Sequence, residues 1–202
     1  MTYELLTALL AFAFVSTVTP GPNNLMVLAS GANFGLRRTL PHMAGITLGF
    51  GLMVFLVGVG LMQIFDLFPI TYTILKIASV SFLIYLAYKI ATAAPPSEKS
   101  TAPTGHPITF VQAALFQWVN PKAWAMALSA NSAYTPEGFG MAGALIVASA
   151  FIAVNTPSIT CWTLMGTQIS RLLNVAWKLR AFNICAALLL LGSLYPILFP
   201  SV

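Results

Sequence analysis

The stretch Val18-Thr19-Pro20-Gly21-Pro22-Asn23-Asn24-Leu25 lies inside a run from Leu5 to Leu36 that contains no charged residue. Proline lacks the backbone donor of a helix and clashes with the preceding turn, so Pro20 and Pro22 free carbonyls around residues 16 to 19. Gly21 permits a backbone path that other residues resist. Two prolines and a glycine at the heart of so apolar a segment predict an interrupted helix. In hydrocarbon, irregular backbone is tolerated only where it is buried in protein or lines a wet cavity. The helix that restarts near Asn23 would turn its first amides into that cavity, where they suit a carboxylate. An ordinary proline kink is the plainer alternative.

The rest of the chain supplies the setting. Of its 202 residues 58% are hydrophobic and 6% charged, and the mean hydropathy is +0.88. That composition lies outside the range of soluble domains and reads as an integral membrane protein embedded in a lipid bilayer. Crossing a ~30 Å hydrocarbon core takes roughly 20 apolar residues in a helix. Six stretches qualify, at about 5–29, 41–62, 69–91, 108–132, 139–165 and 180–199. The alternating ten-residue segments of an outer-membrane barrel are not seen. The first span reads as retained rather than as a cleaved signal peptide, because no basic residue precedes Arg37.

Charge placement gives the orientation. Arg37, Arg38, Lys89, Lys99, Arg171, Lys178 and Arg180 all fall on connections from odd to even spans, whereas the other connections and the N-terminus hold Glu4, Asp66 and Glu137 and no basic residue. By the positive-inside rule the first set faces the cytoplasm and both termini lie outside. The formal charge of +5 is scattered over these connections, with no aromatic or basic platform for nucleic acid. Cys161 and Cys185 form no Cys-x-x-Cys arrangement and read as small buried thiols, so neither a metal site nor any other cofactor is expected.

The polar segment "AAPPSEKSTAPTGHP", residues 93–107, divides the chain into residues 1–93, a cytoplasmic linker at 94–107, and residues 108–202. Each part holds three spans, and since three is odd the second set must be upside down relative to the first. The fold class expected is therefore all-α, six transmembrane helices as two inverted three-helix repeats. In such repeats, sites form near the midplane from interrupted helices in matching positions. The fourth span carries its own interruption, "QWVNPKAW", residues 117–124. At ~1.5 Å per residue, Pro20 and Pro121 each lie about 20 Å from the face at which their span begins.

Lys122, directly after Pro121 and beside Asn120, is the most informative residue, because a cation deep in the bilayer is costly and marks a functional site. A lysine snorkelling to an interface is the alternative. No Asp or Glu is expected inside a span to neutralise it, so its partner would be the substrate. The candidate substrate-binding residues are Thr19, Pro20, Gly21, Pro22, Asn23, Asn24, Asn120, Pro121 and Lys122, with Asn155 and Pro157 from a third polar break in span five. Lys76, near the outer end of span three, is a further candidate that snorkels more easily. Gly45, Gly49 and Gly51 read as helix packing, Arg37 and Arg38 as topology anchors, and "GTQISRLLNVAWKLR", residues 166–180, as an interfacial amphipathic piece. Intramembrane hydrolysis would need paired acids, a Ser-His pair or metal ligands at depth, and His42 and His106 are expected near loops. The chain is read as a transporter, not an enzyme; a passive channel stays open as an alternative.

The stretch "TPGPNNLMVLASGANFGLRRTLPHMAGITLGF", residues 19–50, resembles the signature of the lysine-exporter/RhtB family of bacterial amino-acid exporters. The likeness continues through Lys76, Tyr85, "NPKAW" and the asparagine-proline region of span five. "TPGPNN", "CWTLMGTQISRLL" and "RAFNICAALLLL" look most like the cysteine/O-acetylserine exporter branch. Span three departs from the pattern, with "LKIASVSFLIYLAYK" where many relatives have a small Gly-Ala pair. The resemblance implies export of a small neutral amino acid across the bacterial cytoplasmic (inner) membrane, with protons as the coupling ion; a homodimer is one assembly open to such a chain.

Overall fold

The computed structural model describes residues 1–68, 70–93, 106–136, 138–173 and 175–195. Most of the expected linker, at 94–105, lies outside the described residues, as do Glu137 and the end of the sixth expected span.

Among the described residues the fold is all-α, with no strand. Helix α1 (Tyr3–Val18) begins at Thr2, whose hydroxyl accepts from the Leu5 amide at 3.3 Å. The chain leaves helical geometry at Thr19, Pro20 and Gly21, and α2 (Pro22–Gly58) follows. Helix α2 is two rods meeting at Gly35, where φ is +76° and ψ 169°, a left-handed conformation that favours glycine. The hydroxyls of Ser30 and Thr39 meet at 3.0 Å across this corner, and Thr39 donates to the Gly35 carbonyl at 2.8 Å. The connection expected near residues 30–40 is thus a one-residue corner rather than a loop.

Helices α3 (Leu61–Leu67) and α4 (Ile70–Ala91) complete the first part. Helix α5 (Phe110–Phe116) opens on a capping box, in which Thr109 Oγ1 accepts from the Gln112 amide at 3.2 Å and Gln112 Oε1 from the Thr109 amide at 3.1 Å. A 3₁₀ turn, Gln117–Val119, leads to Asn120, and α6 (Pro121–Tyr134) restarts there. Helices α7 (Gly140–Leu172) and α8 (Ala176–Gly192) follow. Helix α7 runs through Pro157 without ending, since a membrane helix absorbs a single lost backbone bond. The expected interfacial piece at 166–180 is no separate element: its first part extends α7 and its last part opens α8.

Helix α2, Thr73–Ala91 within α4, and Gly140–Arg171 within α7 are long and apolar enough to cross a bilayer, while Tyr3–Val18 and Phe110–Val119 are shorter apolar segments. Large apolar side chains point outward, among them Leu52, Ile77 and Leu188 at 53, 62 and 61% exposure, as lipid-facing positions require. Between helices in lipid the hydrophobic drive is absent, so close backbone approach and polar bonds must hold them together. Helix α2 packs most extensively on α7 and then on α5. At these crossings Gly31 lies against the Thr163 carbonyl, Gly166 against the Leu28 carbonyl, Gly45 against the Phe110 carbonyl and Gly49 against Ala114, with no room for a Cβ. Phe151 of α7 seats edge-on to Phe50 of α2, with centroids 5.3 Å apart. Cys161 and Cys185 are exposed rather than buried, because α7 and α8 turn Ile159 and Thr163, and Ala186 and Leu190, to the core instead.

Candidate functional site

Where α1 stops, its last carbonyls lack helical partners. Neighbouring side chains supply them. Asn24 Nδ2 donates to the Thr17 and Thr19 carbonyls at 2.8 and 3.0 Å, Ser158 Oγ to the Thr17 carbonyl at 3.0 Å, and Trp162 Nε1 to the Val18 carbonyl at 3.3 Å. The start of α2 is different. Gly21 has no side chain to cap it and Pro22 no amide to offer, so the first amides left to find acceptors are those of Asn23 and Asn24.

The second interruption caps its helix from within. Asn120, 2% exposed, caps α6 through its Oδ1, which accepts from the Lys122 amide at 3.1 Å, and Pro121 occupies the first helical position, where a missing donor costs nothing. The Lys122 side chain then crosses the gap. Its Nζ donates to the Thr19 carbonyl, and a Cβ on Gly21 would come within 2.8 Å of Lys122 Cδ.

The two interruptions face one cavity. Gly21, Asn23 and Asn24 line it from the first interruption, Asn120 and Lys122 from the second, and Asn155 from α7. Phe50 and Met126 supply apolar wall. Lys122, half-buried, is the only charged side chain among these lining residues. Asn155 is 6% exposed and its Nδ2 has no partner among the described residues, a donor unused in a place where unpaired polar groups are rare.

The remaining candidates are placed differently. Thr19 presents its carbonyl to Lys122 while its hydroxyl turns back to the Val15 carbonyl; Pro22 is buried at the start of α2; Pro121 is half-buried. Pro20 and Pro157 are exposed, and neither lines the cavity. Lys76 is exposed on α4, and the fold does not bring it to the cavity. His42, expected near a loop, is fully buried with neither ring nitrogen partnered among the described residues, because the corner at Gly35 is so short that His42 already lies inside a helix.

Sequence reasoning singles out Asn23 but not its partner Gln117, nor the pair Asn33 and Asn183, which tie distant segments. Asn23 Nδ2 donates to Gln117 Oε1 at 2.8 Å, and Gln117 Nε2 returns a bond to Asn23 Oδ1 at 3.2 Å. Asn33 and Asn183 form the same reciprocal pair at 2.9 and 3.2 Å, between α2 and α8. The available signal was an amide side chain standing in an apolar span.

The arrangement gathers one cation, several amides and unwound backbone around one cavity, a set suited in its chemistry to a small polar molecule. No group of acids, histidines or cysteines able to hold a metal occurs among the described residues. Comparison with known proteins agrees in kind. The chain matches the LysE type translocator family over residues 14–193. It is 31% identical over 194 residues to proteins named cysteine/O-acetylserine efflux protein from Escherichia coli strain K12 and Shigella sonnei strain Ss046, covering 94% of this chain and 95% of each of theirs. A protein of that name from Escherichia coli O139:H28 strain E24377A is 31% identical over 195 residues, with 95% and 96% covered. No solved structure matches the chain. The chain belongs to the LysE type translocator family and is a membrane transporter rather than an enzyme.

Proposed function

We propose that the protein exports a small neutral amino acid or derivative, of the cysteine/O-acetylserine kind or a relative such as homoserine or threonine, from the bacterial cytoplasm by proton antiport. In this reading residues 1–93 and 108–202 are inverted three-helix repeats in the inner membrane, joined by a cytoplasmic linker, with both termini outside. The family and the names of the efflux proteins similar to this chain support the substrate class.

The observation that carries the mechanism is the bond from Lys122 Nζ to the Thr19 carbonyl across the cavity. An amino acid zwitterion carries the two groups that would insert into it. Its carboxylate takes the Lys122 ammonium, supported by the Asn155 Nδ2 and the first amides of α2. Its ammonium takes the Thr19 carbonyl that Lys122 gives up. Each charged group of the substrate thus replaces a partner, so substrate entry leaves neither Lys122 nor Thr19 unpaired. Once the substrate is seated, Lys122 gives its proton to the cytoplasm and keeps the carboxylate as a neutral donor. After the substrate leaves outward it takes a proton from outside, and the return of the empty site carries that proton inward, so the two fluxes run in opposite directions.

Counterflow in proteoliposomes with labelled cysteine, O-acetylserine, homoserine and threonine tests the reading. At least one should be moved, and Lys122→Met should reduce that flux by about 30-fold or more, the loss expected on removing one partner of a desolvated charge pair. Lys122→Arg keeps the charge but resists deprotonation. It should retain exchange and lose acceleration by a proton gradient. Full coupling in the arginine variant would remove Lys122 as proton carrier, and flux indifferent to any gradient would point to a channel.

A further inference from the structure

Lys122 is not the only link between the two interruptions. Gln117, fully buried on the 3₁₀ turn that leads to Asn120, uses both Nε2 hydrogens, on Asn23 Oδ1 at 3.2 Å and on the Ala113 carbonyl at 2.9 Å. Its Oε1 accepts from Asn23 Nδ2 at 2.8 Å. A carboxamide has two donor hydrogens and two acceptor lone pairs. On Asn23 one hydrogen and one lone pair are therefore left over from this pairing. Asn23 lines the cavity and Gln117 does not. The Ala113 bond fixes Gln117 to α5, so the orientation of the Asn23 carboxamide is set from the opposite interruption, across 94 residues of chain.

We propose that Gln117 is a positioning residue for transport: it clasps Asn23 so that the uncommitted amide hydrogen serves the carboxylate of the substrate, and it keeps the first interruption in register with the second. The inference rests on the export reading. Gln117 acts through Asn23 alone, which separates it from a merely structural buried amide. A structural amide would lower the amount or stability of the protein without selectively weakening substrate binding.

A double-mutant cycle on counterflow tests this, using whichever of the four amino acids the wild type moves best. Q117L should raise KM about tenfold with a much smaller change in maximal rate, the scale of losing two neutral hydrogen bonds. In an N23A background, Q117L should change KM by less than about twofold, the signature of residues acting as a unit. The swapped pair N23Q/Q117N, which can still exchange two bonds, should return KM to within about threefold of wild type. A cycle in which the two losses multiply in full, or Q117L with wild-type KM, overturns the proposal. Should Q117L not reach the membrane folded, Q117M takes its place in the same cycle with the same criteria. A wild type that moves none of the amino acids sinks the export reading and this inference with it, whereas an active wild type with indifferent Gln117 variants sinks the inference alone.

Discussion

The two interruptions solve the same problem with opposite means. At Thr19–Gly21 three residues leave the helix, and their neighbourhood is completed from outside, by Asn24, Ser158, Trp162 and Lys122. At the second interruption the 3₁₀ turn runs into Asn120, which caps the helix that follows, and Trp124 Nε1 donates to the Trp118 carbonyl at 2.8 Å, so the backbone is completed locally. The first is a set of backbone groups whose partners can be exchanged; the second is a rigid mount for one charged arm. A site that must take up and release a ligand needs both, since two adaptable walls would not hold Lys122 in place and two rigid ones would offer no carbonyl to trade.

The contrast predicts unequal sensitivities. The largest effect is expected from Gly21→Ala, whose Cβ would stand 2.8 Å from Lys122 Cδ. Displacing the lysine by that contact should reduce counterflow about 100-fold, as ångström misplacements of acting groups do. Wild-type flux in this variant would mean that the lysine arm needs no fixed position. Next comes Asn24→Leu. It removes the donor shared by two carbonyls, leaving Thr17 to Ser158 and Thr19 to Lys122 alone, and the loss of two hydrogen bonds should lower stability by about 1–3 kcal/mol, read as a fall in the thermal midpoint of the detergent-solubilised protein. The smallest effect is expected at the rigid mount. Pro121→Ala only removes a preorganised first helical residue, so transport should change by no more than about threefold. A collapse of transport in Pro121→Ala as deep as in Gly21→Ala would erase the distinction between the two interruptions.

Both interruptions are legible because proline falls there beside glycine or a capping asparagine, whereas Pro41 and Pro157, without such neighbours, lie inside continuous helix. Lys122 was legible for a related reason: a charge in an apolar run has few explanations. What escaped depended on partners. Gln117 stood in plain view in "QWVNPKAW", yet its pairing with Asn23 is set by how α2 packs on α5. Cys161 and Cys185 were misjudged because hydrophobicity separates inside from outside only in water; in lipid, core and periphery are equally apolar. The corner at Gly35 reads as a loop in sequence because "GANFGLRR" combines small, polar and basic residues, and nothing in it marks which glycine takes the left-handed turn. Lys76, by contrast, draws notice by its charge and by the family likeness, and its outward position on α4 lies with the packing of that helix on α8.

The interlock of Gly31 with the Thr163 carbonyl and of Gly166 with the Leu28 carbonyl bears on how the protein is made. The rod that begins at Pro22 finds its closest neighbour only after the ribosome has added some 130 further residues. Until then α2 lacks its mate, and Lys122, added about 40 residues before Thr163, stands at a pocket that still lacks its α7 wall. The pocket is therefore closed by the part of the chain that is made after both interruptions.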